Sequence, residues 1–292
     1  MTPIPSPTPS PIPTPAPATS STPARTLPRL ARRGIALALG LCALLQTACN
    51  MVKPVSISGS ELLEHSPSLA LDVENSHGSI LVRVNPKLTQ PRIGAVAYAG
   101  VAQGSANYQS DLWATASLAE TDGRAVLTVR TKPQEGPDVG KWVQLAIELP
   151  SCDGIRAKNS GGLIDIRDVS GAIWIENGGA GFEGGPIYLE AAKPITAPVT
   201  ISTSSGNIQV VLPTGSTGDI ELISSGTKLT DLRAWTGQVD NTTIKPGYFH
   251  GILNRGTNPI KLRCTDGDVE LRIGPYRFGN PQNKYYKNWY FT

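Results

Sequence analysis

The stretch "VTISTSSGNIQVVLPTGSTGDIELISSGTKL", Val199 to Leu229, decides the fold. Inside it, "TSSGNIQV" and "ISSGTKLT" share one frame: small polar residues, a glycine, one or two polar residues, then an apolar one. Glycine in this frame supplies a corner with φ > 0, and the Ser or Thr beside it can hydrogen-bond its own backbone. The frame recurs outward in both directions, as "NSGGLIDI" from Asn159 and "CTDGDVEL" from Cys264. Gly206 and Gly226 are 20 residues apart, as are Gly161 and Gly181, and Gly247 and Gly267. Self-similarity at a short period predicts a solenoid, in which each unit buries its apolar face by stacking on its neighbours.

Upstream the period is two almost everywhere. "LALDVEN" puts Leu69, Leu71 and Val73 on one face, and "SILVRV" does the same with Ile80, Val82 and Val84. "RAVLTVRT" and "WVQLAIEL" continue it, the latter through Val143, Leu145, Ile147 and Leu149. Short alternating pieces bounded by Gly, Pro, Asn or Asp, with no 3.6-residue period in the mature chain, predict an all-β protein. The predicted architecture is a β-helix-like solenoid of short strands with Ser/Thr-Gly turns.

One glycine cluster offers a competing reading. "GGAGFEGGP", Gly178 to Pro186, contains a formal G-x-G-x-x-G. A dinucleotide site needs a strand, this turn, and then a helix whose N-terminal amides meet the pyrophosphate. The strand is present, "AIWIE", with Ile173 and Ile175 alternating with Trp174 and Glu176. The residues after the cluster are "PIYLE", another short strand, and then Pro194 and Pro198 interrupt the chain. The cluster is a glycine-rich corner of the repeat, not a phosphate loop.

The chain has 292 residues. Residues 1–24 alternate proline with small polar residues, which favours solvated polyproline II and buries nothing. Residues 25–48 read as an export signal: Arg25, Arg29, Arg32 and Arg33, then an apolar run from Gly34 to Leu45. That run is shorter than the roughly 20 residues a spanning helix needs. Without residues 1–48, four of the 26 basic residues are gone and no acidic ones, leaving 22 against 23 acidic. Nothing in that balance argues for nucleic acid. Residues 49–68 read as a polar tether, 69–273 as the strand-repeat domain, and 274–292 as an aromatic cap or tail.

"QTAC", ending at Cys49, resembles a bacterial lipoprotein signal, where the cysteine is lipidated and becomes the mature N-terminus. Here Gln46 stands three residues before the cysteine, where Leu is preferred. The alternative is ordinary cleavage near Ala48, giving a soluble periplasmic or secreted protein. The repeats resemble the bacterial putative-adhesin β-strand repeat family (DUF4097-type). Val199 to Leu229 carries the resemblance, with "LALDVENSHGSILVRV" (Leu69 to Val84) similar to its opening strand pair and "LRCTDGDVELRI" (Leu262 to Ile273) to its closing one. Ala95 to Leu118 does not align, and the motif fades over Gly237 to Gly251. The resemblance implies an exported β-solenoid with no catalytic residues to carry over.

No constellation for chemistry stands out. His65, His77 and His250 are far apart, with no H-E-x-x-H or Cys/His pair at ligand spacing, so no metal or cofactor is expected. The "SSG" serines read as turn residues. The acids Asp165, Asp168, Asp219, Glu221, Asp268 and Glu270 are the candidates for an alternative function, a calcium-dependent polysaccharide lyase or hydrolase on a β-helix. Asp219/Glu221 and Asp268/Glu270 each share one face of a strand. They alternate with Ile220/Leu222 and Val269/Leu271, so a water-facing position is expected, with Lys261, Arg263 and Arg272 neutralising them.

The tail holds Tyr276, Phe278, Tyr285, Tyr286, Trp289, Tyr290 and Phe291, read as closing an exposed last rung. Stacking on sugars is the other use of such rings. Trp113, Trp142, Trp174 and Trp235 are read as core or surface packing rather than a ligand strip. Cys264 shares parity with Ile260 and Leu262 and is expected to point inward. Cys152 is expected to open the stack and Cys264 nearly to close it, several rungs apart and therefore unbonded, since a bridge needs Cα atoms within about 7 Å. The functional expectation is an exported, lipid-anchored, adhesin-like cell-envelope protein, not an enzyme, whose partner is an unidentified envelope protein or glycan.

Overall fold

A computed structural model describes residues 53–59, 69–98, 114–131, 142–179, 183–226 and 237–274. The chain divides into two units, Met1–Cys49 and Asn50–Thr292, and all the described residues belong to the second. The proline-rich segment, the signal, Cys49 and the aromatic tail from residue 275 lie outside the described residues. Among the described residues every regular element is a strand, and no helix is long and apolar enough to cross a membrane.

The strands are β1 (Lys53–Pro54), β2 (Ile57–Ser58), β3 (Leu69–Asn75), β4 (Ile80–Val84), β5 (Arg92–Tyr98) and β6 (Ala114–Thr121). They continue with β7 (Arg124–Thr131), β8 (Trp142–Leu149), β9 (Asp153–Asn159), β10 (Ile164–Asn177), β11 (Ile187–Ala191) and β12 (Val199–Thr203). The last are β13 (Ile208–Leu212), β14 (Gly218–Ser224), β15 (Val239–Lys245), β16 (Tyr248–Leu253), β17 (Pro259–Cys264) and β18 (Val269–Ile273). Residues 53–58, read as tether, form β1 and β2 and pair with β5 and β6.

The strands make one large mixed sheet with two faces of pairing. On side A the order is β1–β5–β8–β4–β10–β11–β13–β18. On side B it is β2–β6–β7–β3–β9–β10–β12–β17–β14–β16–β15. The long strand β10 serves both, with Ile164–Arg167 in A and Ile173–Asn177 in B. Its register shifts between Arg167 and Val169, where Asp168 takes φ 62°. Among the described pairings the sheet does not close, because each side ends in strands paired on one edge only.

The interior pairings are parallel, and their inward residues stack in rows. On side A the row is Leu145–Ile80–Ile164–Ile187–Ile208–Val269, every member fully buried. On side B it is Leu127–Leu71–Ile155–Ile173–Val199–Ile260–Ile220. Both rows belong to one hydrophobic cluster. β-Branched side chains suit these strands because they pack flat on a pleated surface, and each buried aliphatic contributes roughly 1.5–3 kcal/mol.

The order of these strand pairs is not the order of the chain. Both sides follow the sequence β7/β8, β3/β4, β9/β10, β10/β11, β12/β13, β17/β18. The expectation that successive units stack on each other is therefore corrected at two places. The corner of Thr203–Gly206 lies beside Cys264–Gly267, and the Ser224–Gly226 corner lies beyond that. The cause is the antiparallel excursion β14–β16–β15, after which β17 returns into the gap between β12 and β14.

A buried polar ladder fixes this order. Asn75, Asn159, Asn177, Thr203, Cys264 and Ser224 are in register at the ends of their side-B strands. Each side chain from Asn159 onward donates to a glycine carbonyl of the preceding corner. Asn159 Nδ2 reaches Gly78 O at 2.8 Å, Asn177 Nδ2 Gly162 O at 2.7 Å, and Thr203 Oγ1 Gly185 O at 3.0 Å. Cys264 Sγ reaches Gly206 O at 3.0 Å, and Ser224 Oγ Gly267 O at 2.6 Å. Backbone carbonyls at a buried corner need such partners.

The glycines of the corners are required by the same stacking. A Cβ on Gly185 would run into the carbonyl of Gly162, and one on Gly162 into that of Gly78. Residues 180–182 of "GGAGFEGGP" lie outside the described residues; Asn177 Nδ2 donates to Gly185 O on the far side of them, and the next described element is β11 rather than a helix.

Candidate functional site

Side B presents its outward residues in a lateral row, Thr128–Asp72–Arg156–Trp174–Thr200–Lys261–Glu221–His250. They point outward because their strand neighbours, such as Ile173 and Ile175 beside Trp174, are taken by the core. Of the two packing places read for Trp174, core or surface, it takes the outer one. The side chain is half-buried on this outer face, and its parity with Glu176 is the signal for that.

Asp72 organises the row. Its carboxylate accepts from Arg156 Nη1 at 2.9 Å and from Arg130 Nη2, and its carbonyl accepts from Arg130 Nη1 at 2.8 Å. Burial alone would raise the Asp72 pKa, but the two guanidinium groups outweigh it and hold the carboxyl below its ordinary value. The Arg156 guanidinium carbon lies 5.0 Å from the centre of the Trp174 ring. Arg124 and Asp153 stand at the rim, 3.7 Å apart. Between these groups lies an open groove of about 400 Å³, lined by Ala70, Val126 and Ala172 together with Trp174, Pro198 and Thr200.

The six candidate acids do not come together. Asp165 is on side A and buried, bound by Arg167 through Nε at 2.9 Å and Nη2 at 3.2 Å. Glu270 is on the same side, bound by Arg272 Nε at 2.7 Å, with Tyr188 and Gln209 in register between the two acids. Asp168 occupies the crossover of β10. Asp219 is exposed on side B, 2.8 Å from His250 Nε2, and Glu221 lies in register with Lys261 and His250. Asp268 sits in a corner, its N–H donating to Asn207 Oδ1 at 2.9 Å.

The water-facing position expected for Glu270 is corrected: only 5% of it is exposed. Arg272, two residues on along the same face, lies against it and neutralises it, as Arg167 does for Asp165. Among the described residues no group of three or more His, Cys, Asp or Glu could hold a metal ion. His65 lies outside the described residues, and His77 belongs to the corner after β3.

Cys152 and Cys264 are both free and buried. Burial pushes the Cys152 thiol up to about 12. Cys152 does not open the stack, since β3/β4 and β7/β8 lie before it, whereas Cys264 ends β17 in the last strand pair common to both sides. Cys264 shares its row with Asn159, three strands away, and Cys152 precedes Asn159 by the length of β9. At about 4.8 Å per strand and 3.3 Å per residue, the two are far beyond bonding distance.

No protein-family model matches the chain, and no curated protein matches it. The family resemblance therefore rests on the corner motifs alone. Among solved structures the chain is similar to a putative cell adhesion protein from Clostridium sporogenes, at 11% identity and a TM-score of 0.45, covering 76% of this chain and 98% of that one.

Proposed function

We propose that this chain is an exported, non-catalytic β-solenoid that presents the outer face of side B to a protein or glycan of the cell envelope, in the manner of an adhesin. The shared order of strand pairs on the two sides and the corner ladder support the solenoid reading. The observation that carries the function is the side-B row itself. Acids, a guanidinium group, an ammonium group and an indole lie side by side on neighbouring strands, a surface rich in directional partners. Anchoring through a lipid on Cys49 would hold the protein at a membrane surface.

The test is saturable binding of the labelled protein to isolated bacterial envelopes. Reversing the exposed Lys261 and Arg263 to glutamate should weaken binding at least fivefold. Unchanged binding in that double variant would count against the face. Cys49→Ser should move the protein from the membrane fraction to the soluble one.

The alternative, a calcium-dependent polysaccharide lyase or hydrolase, has less support. Asp165 and Glu270 are separated by three strand spacings, about 14 Å, whereas paired catalytic carboxyls of glycosidases lie within roughly 5–9.5 Å. Turnover of acidic polysaccharides, with and without calcium, would restore it.

A further inference from the structure

We propose that the groove beside Trp174 is a subsite for a carboxylate-bearing saccharide. This deepens the reading of side B as a contact face and rests on it.

The groove is rich in open donors. Arg156 spends one N–H on Asp72 and leaves Nε and Nη2 without a protein acceptor among the described residues. Arg124 makes only a 3.7 Å ion pair with Asp153, too long for a hydrogen bond, and about half of each side chain is exposed. The Trp174 indole N–H has no protein acceptor among the described residues. Acceptors are scarce by comparison. Both carboxylate oxygens of Asp72 are taken by Arg130 and Arg156, which leaves the Thr200 hydroxyl and the rim carboxylate of Asp153. The matching ligand is rich in acceptors and carries negative charge, because charge-assisted bonds to guanidinium are the strong ones.

Shape narrows the class further. The lining includes the apolar side chains of Ala70, Val126 and Ala172 beside the Trp174 ring, and the groove is open and shallow, which suits the flat C–H face of a sugar ring better than an acidic peptide. Arg156 is held from two sides, by Asp72 and by the Trp174 ring, so its open donors need little ordering when a carboxylate arrives.

The experiment is titration of the purified protein, followed by calorimetry and tryptophan emission. The probes are trigalacturonate and sialyllactose, their neutral counterparts maltotriose and lactose, and triglutamate. At least one acidic saccharide should bind, at least tenfold tighter than its neutral counterpart, and triglutamate should not. Trp174→Ala and Arg156→Gln should each weaken that binding at least tenfold. Trp174→Phe, which keeps a flat ring, should weaken it less, and matched thermal melts should show all three variants folded. Binding of neither acidic saccharide overturns the proposal, as does equal binding of neutral sugars or of triglutamate. Indifference to Trp174→Ala overturns it too. Loss of this subsite with retained, Lys261-dependent envelope binding would sink the saccharide and leave the contact face standing.

Discussion

Asn159 and Asn177 stand in register on neighbouring strands, and each amide nitrogen binds two glycine carbonyls at once. Asn159 takes Gly78 and Gly161, at 2.8 and 2.7 Å, and Asn177 takes Gly162 and Gly185, at 2.7 and 3.0 Å. Each asparagine therefore ties its own corner to the one before it. The stack is held by its apolar rows, but these bonds choose which corner lies on which.

Removing one of these amides should be costly. Asn159→Ala deletes both donors and strands the buried Gly78 carbonyl, while the Gly161 carbonyl keeps the Gly78 N–H, which should cost about 1–3 kcal/mol. Ser225→Ala, at an exposed corner position, should cost less than about 0.5 kcal/mol. Denaturant unfolding of the two variants checks this. Equal costs would mean that the ladder is incidental to stability.

Two glycines separate close approach from backbone conformation. Gly185 has ordinary φ, yet its Cβ would strike the Gly162 carbonyl, so Gly185→Ala should cost about 3 kcal/mol through overpacking. Gly123 has φ +72° with open space around it, so Gly123→Ala should cost only about 1 kcal/mol, from the left-handed backbone alone. Thermal melts give the comparison, and the reverse ranking would show that the corners do not stack as described.

Much of this architecture is legible in the sequence. Period two marks the strands from Leu69 onward, because an alternating segment has one face to bury. The corner glycines are legible for the same local reason. The order of the corners is not, since nothing near Thr203 reports that its neighbour is Cys264, 61 residues away. The ladder leaves a signal that a Gly-centred reading passes over. In Asn75–Gly78, Asn159–Gly162, Thr203–Gly206 and Cys264–Gly267, a small hydrogen-bonding side chain stands three residues before the glycine. Asn177 escapes that pattern because its corner is lengthened before Gly185. The Trp174 groove is hidden for a different reason: it needs Asp72, Arg156 and Trp174 from three strands that only the folded register brings together.

Cys264 occupies a ladder position between Thr203 and Ser224, so a hydroxyl should serve there. Cys264→Ser should cost about 1 kcal/mol or less, while Cys264→Val, which offers Gly206 no donor, should cost about 2 kcal/mol. Cys152 should resist alkylation at pH 8 in the folded protein, since burial holds its thiol protonated. Rapid labelling of Cys152 without unfolding would contradict its placement in the core.

Asp72 supplies the pH dependence. Its folded carboxyl lies below the ordinary value of about 4, because Arg130 and Arg156 outweigh the effect of burial. A depressed carboxylate stabilises the fold at every pH above its unfolded value, and that contribution is lost as pH falls from there through the folded pKa. Melting temperature should therefore fall below about pH 4 with a component that Asp72→Asn lacks. Other carboxylates titrate in the same window, so the test is the difference between the two pH profiles. The gap should be widest near neutrality and close as acid protonates Asp72. At the same acidic pH, Arg156 loses its tether over Trp174, and affinity for an acidic saccharide should fall with it. A gap that stayed constant down to about pH 2 would mean that Asp72 contributes by packing and not by charge.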